Sequence, residues 1–161
     1  RAVILAQKLL QLTLPGVPDT YQGCELVDLS LVDPDNRRPV DFADRAGRLA
    51  RLDAGEPPRD LSDEKLLVTA AALRLRRERP ASFAGDFAPL GLGEHLLGYR
   101  RGEDVLVLTV TRPDADGRAP EAPVALPAGS WTDRLRGLTH EGTVPSSALL
   151  AELPVALLAR T

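Results

Sequence analysis

Methionine is absent from these 161 residues, and cysteine occurs once, at Cys24. A single cysteine excludes an intramolecular disulfide and fits a reducing compartment, so cytoplasmic residence is expected. No histidine lies near Cys24 in sequence, which predicts a buried, inert thiol rather than a reactive one. Lysine is nearly absent too: Lys8 and Lys65 are the only two, and arginine carries almost all the positive charge. Those arginines are dispersed and the net charge is -3, which excludes a general nucleic-acid or membrane-surface binder. No apolar run is long enough to cross a membrane as a helix. The first residue is Arg1, and no small-residue cleavage site follows the apolar stretch to Leu12, so a signal peptide is not expected. A piece of a longer protein is the expectation that fits these features.

What remains is a globular composition, 43% hydrophobic and 27% charged, long enough to bury a core. Val3, Leu5, Leu9, Leu10 and Leu12, with Gln7, Lys8 and Gln11 as the polar part, predict a helix from Ala2 to Leu12. Pro15-Gly16 ends it, and the residues from Val17 to Gly23 read as a short strand leading into a long loop. A short helix should interrupt that loop, capped by Asp41 and striped by Phe42, Ala46, Leu49 and Ala50. A longer helix is predicted from Asp63 to Arg79, capped by Ser62 and stopped by Pro80. Beyond Pro80 the pattern changes to period two. Strands are predicted at Leu96 to Arg100, Val105 to Thr111, Pro123 to Leu126, Ser130 to Asp133, Gly142 to Val144 and Pro154 to Ala159. Arg101 to Asp104 should make a hairpin turn, and Asp114 to Gly117 a surface turn. Val105 to Val110 is nearly continuous apolar sequence, as in a strand covered on both faces.

The polar side chains concentrate in one place. Tyr21, Gln22 and Glu25 leave the expected strand, and Asp33, Asp35, Asn36, Arg37 and Arg38 follow. Amides, carboxylates and guanidinium groups in such density can hold vicinal hydroxyls in fixed geometry. Alternating opposite charges can equally pair with one another and brace the loop. Spacing alone leaves both readings open.

Two stretches carry a resemblance: Pro-Gly-Val-Pro-Asp-Thr-Tyr-Gln-Gly-Cys-Glu (15–25) and Leu-Val-Asp-Pro-Asp-Asn-Arg-Arg-Pro-Val-Asp-Phe (31–42). Together they resemble the last barrel strand and following loop of maltooligosyltrehalose synthases, in the α-amylase-like glycoside hydrolase superfamily. Weaker similarity continues through Leu73 to Phe83, Gly129 to Arg136 and Leu153 to Arg160. Cys24 stands where threonine or alanine is expected.

The resemblance implies an α/β plus β architecture. Residues 1–80 would form the C-terminal end of a (β/α)8 barrel, and residues 81–161 an antiparallel β-sandwich-like domain. It implies an isomerase acting on maltooligosaccharides. Such an enzyme converts the reducing-end α-1,4 linkage to an α,α-1,1 (trehalose) linkage by the retaining route, with two carboxylates roughly 5 Å apart. Those carboxylates belong to earlier barrel strands, so no catalytic residue is assigned here and the isolated chain is expected to be inactive. The implied contribution is a pocket wall. Asp35, Asn36 and Arg37 are the first candidates for substrate binding, followed by Tyr21, Gln22 and Glu25, with Glu25 also a candidate brace. No metal or organic cofactor, nucleic-acid partner or membrane is implied, and oligomeric state is not set. His95 and His140 are expected at the surface. Trp131 is expected in the β-domain core, with a sugar-stacking platform as the other reading. The alternatives are another α-amylase-family transglycosidase or hydrolase, or a non-catalytic carbohydrate-binding or interaction module. The 4% aromatic content weighs against the module.

Overall fold

The structure is a computed structural model, described here for all residues except Gly117, Ala119 and Pro120. Helix α1 (Ala2–Thr13) turns Leu5, Leu9 and Leu12 inward, while Val3 points to solvent. Lys8, expected on the polar side, is only 6% exposed and donates to Gln11 Oε1 at 2.7 Å. Helix α2 (Phe42–Asp53) begins as expected, with Asp41 accepting from the Asp44 amide at 2.9 Å. Helix α3 (Leu61–Glu78) starts two residues earlier than the sequence suggests. Asp60, in extended conformation, is its cap and accepts from the Asp63 amide at 2.8 Å. Ser62 is therefore inside the helix, and its hydroxyl accepts from the Val27 amide instead. Pro80 does not simply stop α3. Arg79 breaks the helical path, and Pro80 opens a new short helix, α4 (Pro80–Ala84), where its missing N–H costs nothing.

Six strands follow among the described residues: β1 (Phe87–Leu90), β2 (Leu96–Arg101), β3 (Val105–Val110), β4 (Pro123–Asp133), β5 (Thr139–Pro145) and β6 (Val155–Arg160). They form one antiparallel sheet in the order β1-β2-β3-β6-β4-β5, with Leu106 opposite Leu158 and Trp131 opposite Arg160. The two strands expected at 123–126 and 130–133 are one strand, β4, whose register against β5 shifts between Ala125 and Ser130. A shift of this kind bends a strand and increases its twist, so β4 curls over the sheet. Strand β1 and the short helix α5 (Ser146–Leu150) are additional to the sequence reading. Of the expected turn at 114–117, Gly117 lies outside the described residues, while Asp114 accepts from the amides of Asp116 and Arg118.

Alternation along β3 and β6 explains the core. Val105, Val107, Val155 and Leu157 face α1 and α3, joining Leu5, Leu9, Leu12, Val68 and Leu75. Leu106, Leu108, Ala156 and Leu158 face the other way, against Trp131, Val124 and Leu126 of the curled β4 and Leu149 of α5. Strand β3 is thus buried along its whole length, as its unbroken apolar sequence requires. The sandwich-like interior comes from a single sheet folded over itself, not from two stacked sheets. A third, smaller cluster of Leu26, Leu52 and Leu66 joins α2 and α3 to the chain after Gly23.

The β2–β3 turn approaches α4 closely. Gly102 has φ +53, and a Cβ there would lie 2.9 Å from Ser82 Cα. Gly102→Ala is expected to cost about 2 kcal/mol, lowering Tm by about 4–8 °C in thermal denaturation. Gly137 has φ +74 with open space around it. Gly137→Ala should therefore cost only the backbone component, about 1 kcal/mol.

The residues from Val17 to Gly23 do not form a strand. Val17 to Tyr21 has no ladder partner among the described residues, and Val17 is 95% exposed. An extended segment with prolines at 15 and 18 is held as a strand only by neighbours on which to pair.

Candidate functional site

The loop after α1 is built by helix-borne donors reaching across to it. Gly23, at φ +94, lets the chain turn sharply, and the Cys24 amide closes the turn on Tyr21 O at 3.0 Å. Arg45 of α2 grips the turn from one side, donating to Gly23 O at 3.0 Å and to Glu25 Oε2 at 3.3 Å. The same Glu25 oxygen accepts from the Gly23 amide at 2.9 Å, which makes Glu25 a brace of the turn. From the other side Lys65 Nζ of α3 donates to Leu26 O at 2.6 Å. Burial pushes the Lys65 ammonium below its ordinary pKa, against the attraction of the Asp28 and Glu25 carboxylates nearby. Cys24 itself is half-buried rather than sealed in the core.

Farther on, the loop folds on its own carboxylates. Asp28 accepts from the Ser30 amide at 2.9 Å, a bond that holds its carboxyl below the usual carboxylate range. Asp35 accepts from the Leu31 amide at 2.8 Å and pairs with Arg38, and a single 3-10 turn spans Asp35–Arg37. Arg37 donates through Nε to Asp33 Oδ1 at 3.0 Å and is largely exposed. Asn36 is different. It is half-buried, and its Oδ1 is shielded with no hydrogen-bond partner.

These pieces enclose an open, polar hollow of about 610 Å³, lined by Gln22, Asp28, Asp35, Asn36, Arg38 and Arg45 among others. That volume lies within the range of small-molecule pockets, roughly 300–1,000 Å³. Of the six residues singled out in the sequence, Gln22, Asp35 and Asn36 line the hollow. Tyr21, Glu25 and Arg37 do not. Arg45 and Lys65 were not anticipated, because their role depends on distant backbone carbonyls that no local pattern reveals. His95 is half-exposed, with Nδ1 at 2.9 Å from Arg112 O, and His140 is half-buried on β5. Neither lines this hollow. Among the described residues, no group of three or more His, Cys, Asp or Glu side chains could hold a metal ion. No helix among them is long and apolar enough to cross a membrane.

No family model matches the chain. A putative maltooligosyl trehalose synthase of Mycobacterium tuberculosis is 48% identical over 164 residues, covering 97% of this chain and 20% of the relative. The solved structure of maltooligosyltrehalose synthase from Arthrobacter ramosus superposes with a TM-score of 0.85 at 45% identity, covering 98% of this chain and 22% of that one. This chain matches the C-terminal portion of maltooligosyl trehalose synthases. It spans about a fifth of the length of the curated maltooligosyl trehalose synthases it matches. A cyclomaltodextrin glucanotransferase of Geobacillus stearothermophilus is also related, at 31% identity over 136 residues, 83% of this chain and 17% of the relative. Because identity to the maltooligosyl trehalose synthases covers 97% of the chain, both the loop region and the sheet fall within the relationship.

Proposed function

We propose that the chain forms residues 1–80 at the end of a (β/α)8 barrel and an antiparallel β-domain over residues 81–161. The whole protein is an intramolecular transglucosidase. It moves the reducing-end glucose of a maltooligosaccharide from an α-1,4 to an α,α-1,1 linkage, without a metal or organic cofactor and in the cytoplasm. The observation that carries this reading is the 48% identity across 97% of the chain to a putative maltooligosyl trehalose synthase.

In this reading the loop after α1 is a wall of the sugar pocket. Asn36 and Gln22 bring two side-chain amides to the wall of the hollow, where they can meet sugar hydroxyls. Asp35, Arg37 and Glu25 shape the loop through bonds they already make, and Tyr21 presents a half-exposed ring beside it. Engaged in that way, Asp35 and Glu25 are poor candidates for the reacting carboxylates, which are assigned to other barrel strands. Exposed apolar side chains concentrate before α2, at Val17, Leu29, Leu31 and Val32. Such a surface suits neighbouring barrel units.

The test is product analysis of the full-length protein on maltopentaose. The expected result is loss of reducing ends without release of free sugar. Growth in reducing sugar would favour a hydrolase, and cyclic products a glucanotransferase. Calorimetry of this chain alone with maltooligosaccharides should show no heat of binding, whereas clear binding would favour a carbohydrate-binding module.

A further inference from the structure

The C-terminus of α1 is an unusual helix end. It has no basic residue in its last turn, and Leu14 leaves in an extended conformation rather than through a left-handed glycine. Its terminal carbonyls therefore need partners from elsewhere, and so does the negative end of the helix dipole. Both come from side chains distant in sequence. Arg76 of α3 donates to Leu12 O at 3.1 Å and to Gly16 O. Arg101, at the end of β2, donates to Thr13 O at 3.0 Å and to Phe83 O of α4. Thr13 Oγ1 and the Tyr99 hydroxyl, also on β2, lie 2.6 Å apart.

Arg101 is only 2% exposed and has no carboxylate partner among the described residues. Arg76, a like charge, shares the Phe83 ring with it, the Cζ atoms lying 5.0 Å and 5.9 Å from the ring centroid for Arg76 and Arg101. Burial, and then Arg76, push the Arg101 guanidinium below its ordinary pKa, yet it is still held at this place. A buried cation with no counter-ion is costly unless dipoles compensate it, and here helix-end carbonyls and an aromatic face do so. Burial also pushes the Tyr99 phenol up to about 12.

We propose that Arg101 and Tyr99 are positioning residues, through which the sheet fixes the direction in which the chain leaves α1 toward the loop of the candidate site. This inference rests on the pocket-wall reading only for its effect on activity. They hold Thr13, from which segment 14–26 departs to end in the turn gripped by Arg45 and Lys65. Its exit is held by the sheet together with Arg76 of α3, and its far end by the helices alone.

The experiment uses the full-length protein carrying Tyr99→Phe, Arg101→Met or Arg101→Lys, compared by peptide-resolved hydrogen exchange and by kinetics on maltopentaose. Tyr99→Phe keeps the ring and removes only the hydroxyl, so it reads the proposal even if Arg101→Met does not fold. Exchange in segment 14–26 is expected to quicken about fivefold to tenfold while β3 and β6 are unchanged. KM should rise about fivefold with kcat within about twofold, since the segment carries no reacting group. Arg101→Lys should fall between wild type and Arg101→Met. Unchanged exchange in segment 14–26, or a uniform rise across the sheet, would overturn the proposal. A wild-type protein inactive on maltooligosaccharides would instead defeat the functional reading, leaving the exchange result to decide the role of Arg101 and Tyr99.

Discussion

Trp131→Ala is expected to lower Tm by about 6–20 °C, the largest effect of any single substitution considered. Trp131 is fully buried on β4, packs with Leu106, Leu108 and Leu158, and donates from Nε1 to Pro127 O at 2.8 Å. Truncation removes the buried ring and leaves a cavity that the curled sheet cannot close, for about 3–5 kcal/mol. Trp131→Phe keeps part of the volume and loses the hydrogen bond, so about 1–2 kcal/mol is expected. Thermal denaturation checks both. The ring is sealed in the interior, which excludes the sugar-platform alternative. Affinity for maltooligosaccharides in the full-length protein should accordingly be unchanged by Trp131→Phe, and a loss of affinity at unchanged Tm would reverse that conclusion.

Asp63→Asn is expected to be the next most damaging, at about 2–3 kcal/mol. The Asp63 carboxylate is fully buried in the first turn of α3, where it accepts from Arg48 at 2.7 Å, Arg51 at 3.1 Å and the Arg59 amide at 3.0 Å. Burial alone would raise its pKa. The Arg59 amide and the two guanidinium groups outweigh burial and leave it below the usual carboxylate range. Asp60, which accepts from the Asp63 amide and from Arg48, is lowered as well. Breaking a buried pair by removing one partner costs about 3–5 kcal/mol. Arg48 and Arg51 keep about a quarter of their side-chain surface in water, with side-chain exposures of 24% and 23%, so the cost falls at or just below the bottom of that range.

The same network sets the acid response. A carboxyl whose folded pKa lies below its unfolded value binds fewer protons when folded. Its stabilisation is fully present above the unfolded value near 3.8 and is lost as pH falls through the folded value. Wild-type Tm should therefore drop below about pH 4, and Asp63→Asn should drop less steeply over the same range. Equal slopes in the two proteins would show that the buried carboxylate does not carry the response.

Much of the architecture could be read from local pattern. The α1 and α2 boundaries, the long α3 and the hairpin of β2 and β3 all follow from apolar spacing, caps and turns. Local pattern fails where a distant partner decides the outcome. Asp60 caps α3 while Ser62 serves the Val27 amide. Lys8 is buried against a helix face that its charge alone would send to solvent. Strand β1 alternates between exposed and half-exposed residues and exists because it pairs with β2, which no local signal announces. For the candidate site, the dense polar stretch from Tyr21 to Arg38 was visible at once. Its division into braces and pocket-lining groups is not: Asp35 and Glu25 are occupied by nearby amides, whereas Asn36 lines the hollow with its Oδ1 buried and unpartnered.

The alternation along β3 and β6 has a practical consequence for recombining this chain with its relatives. Val105, Val107, Val155 and Leu157 form the floor on which α1 and α3 rest. A splice made at residue 80 would pair each half with a mismatched mate and strip two apolar surfaces at once. Chimeras that exchange the sheet together with both helices keep that seam native, and those are the ones expected to stay soluble.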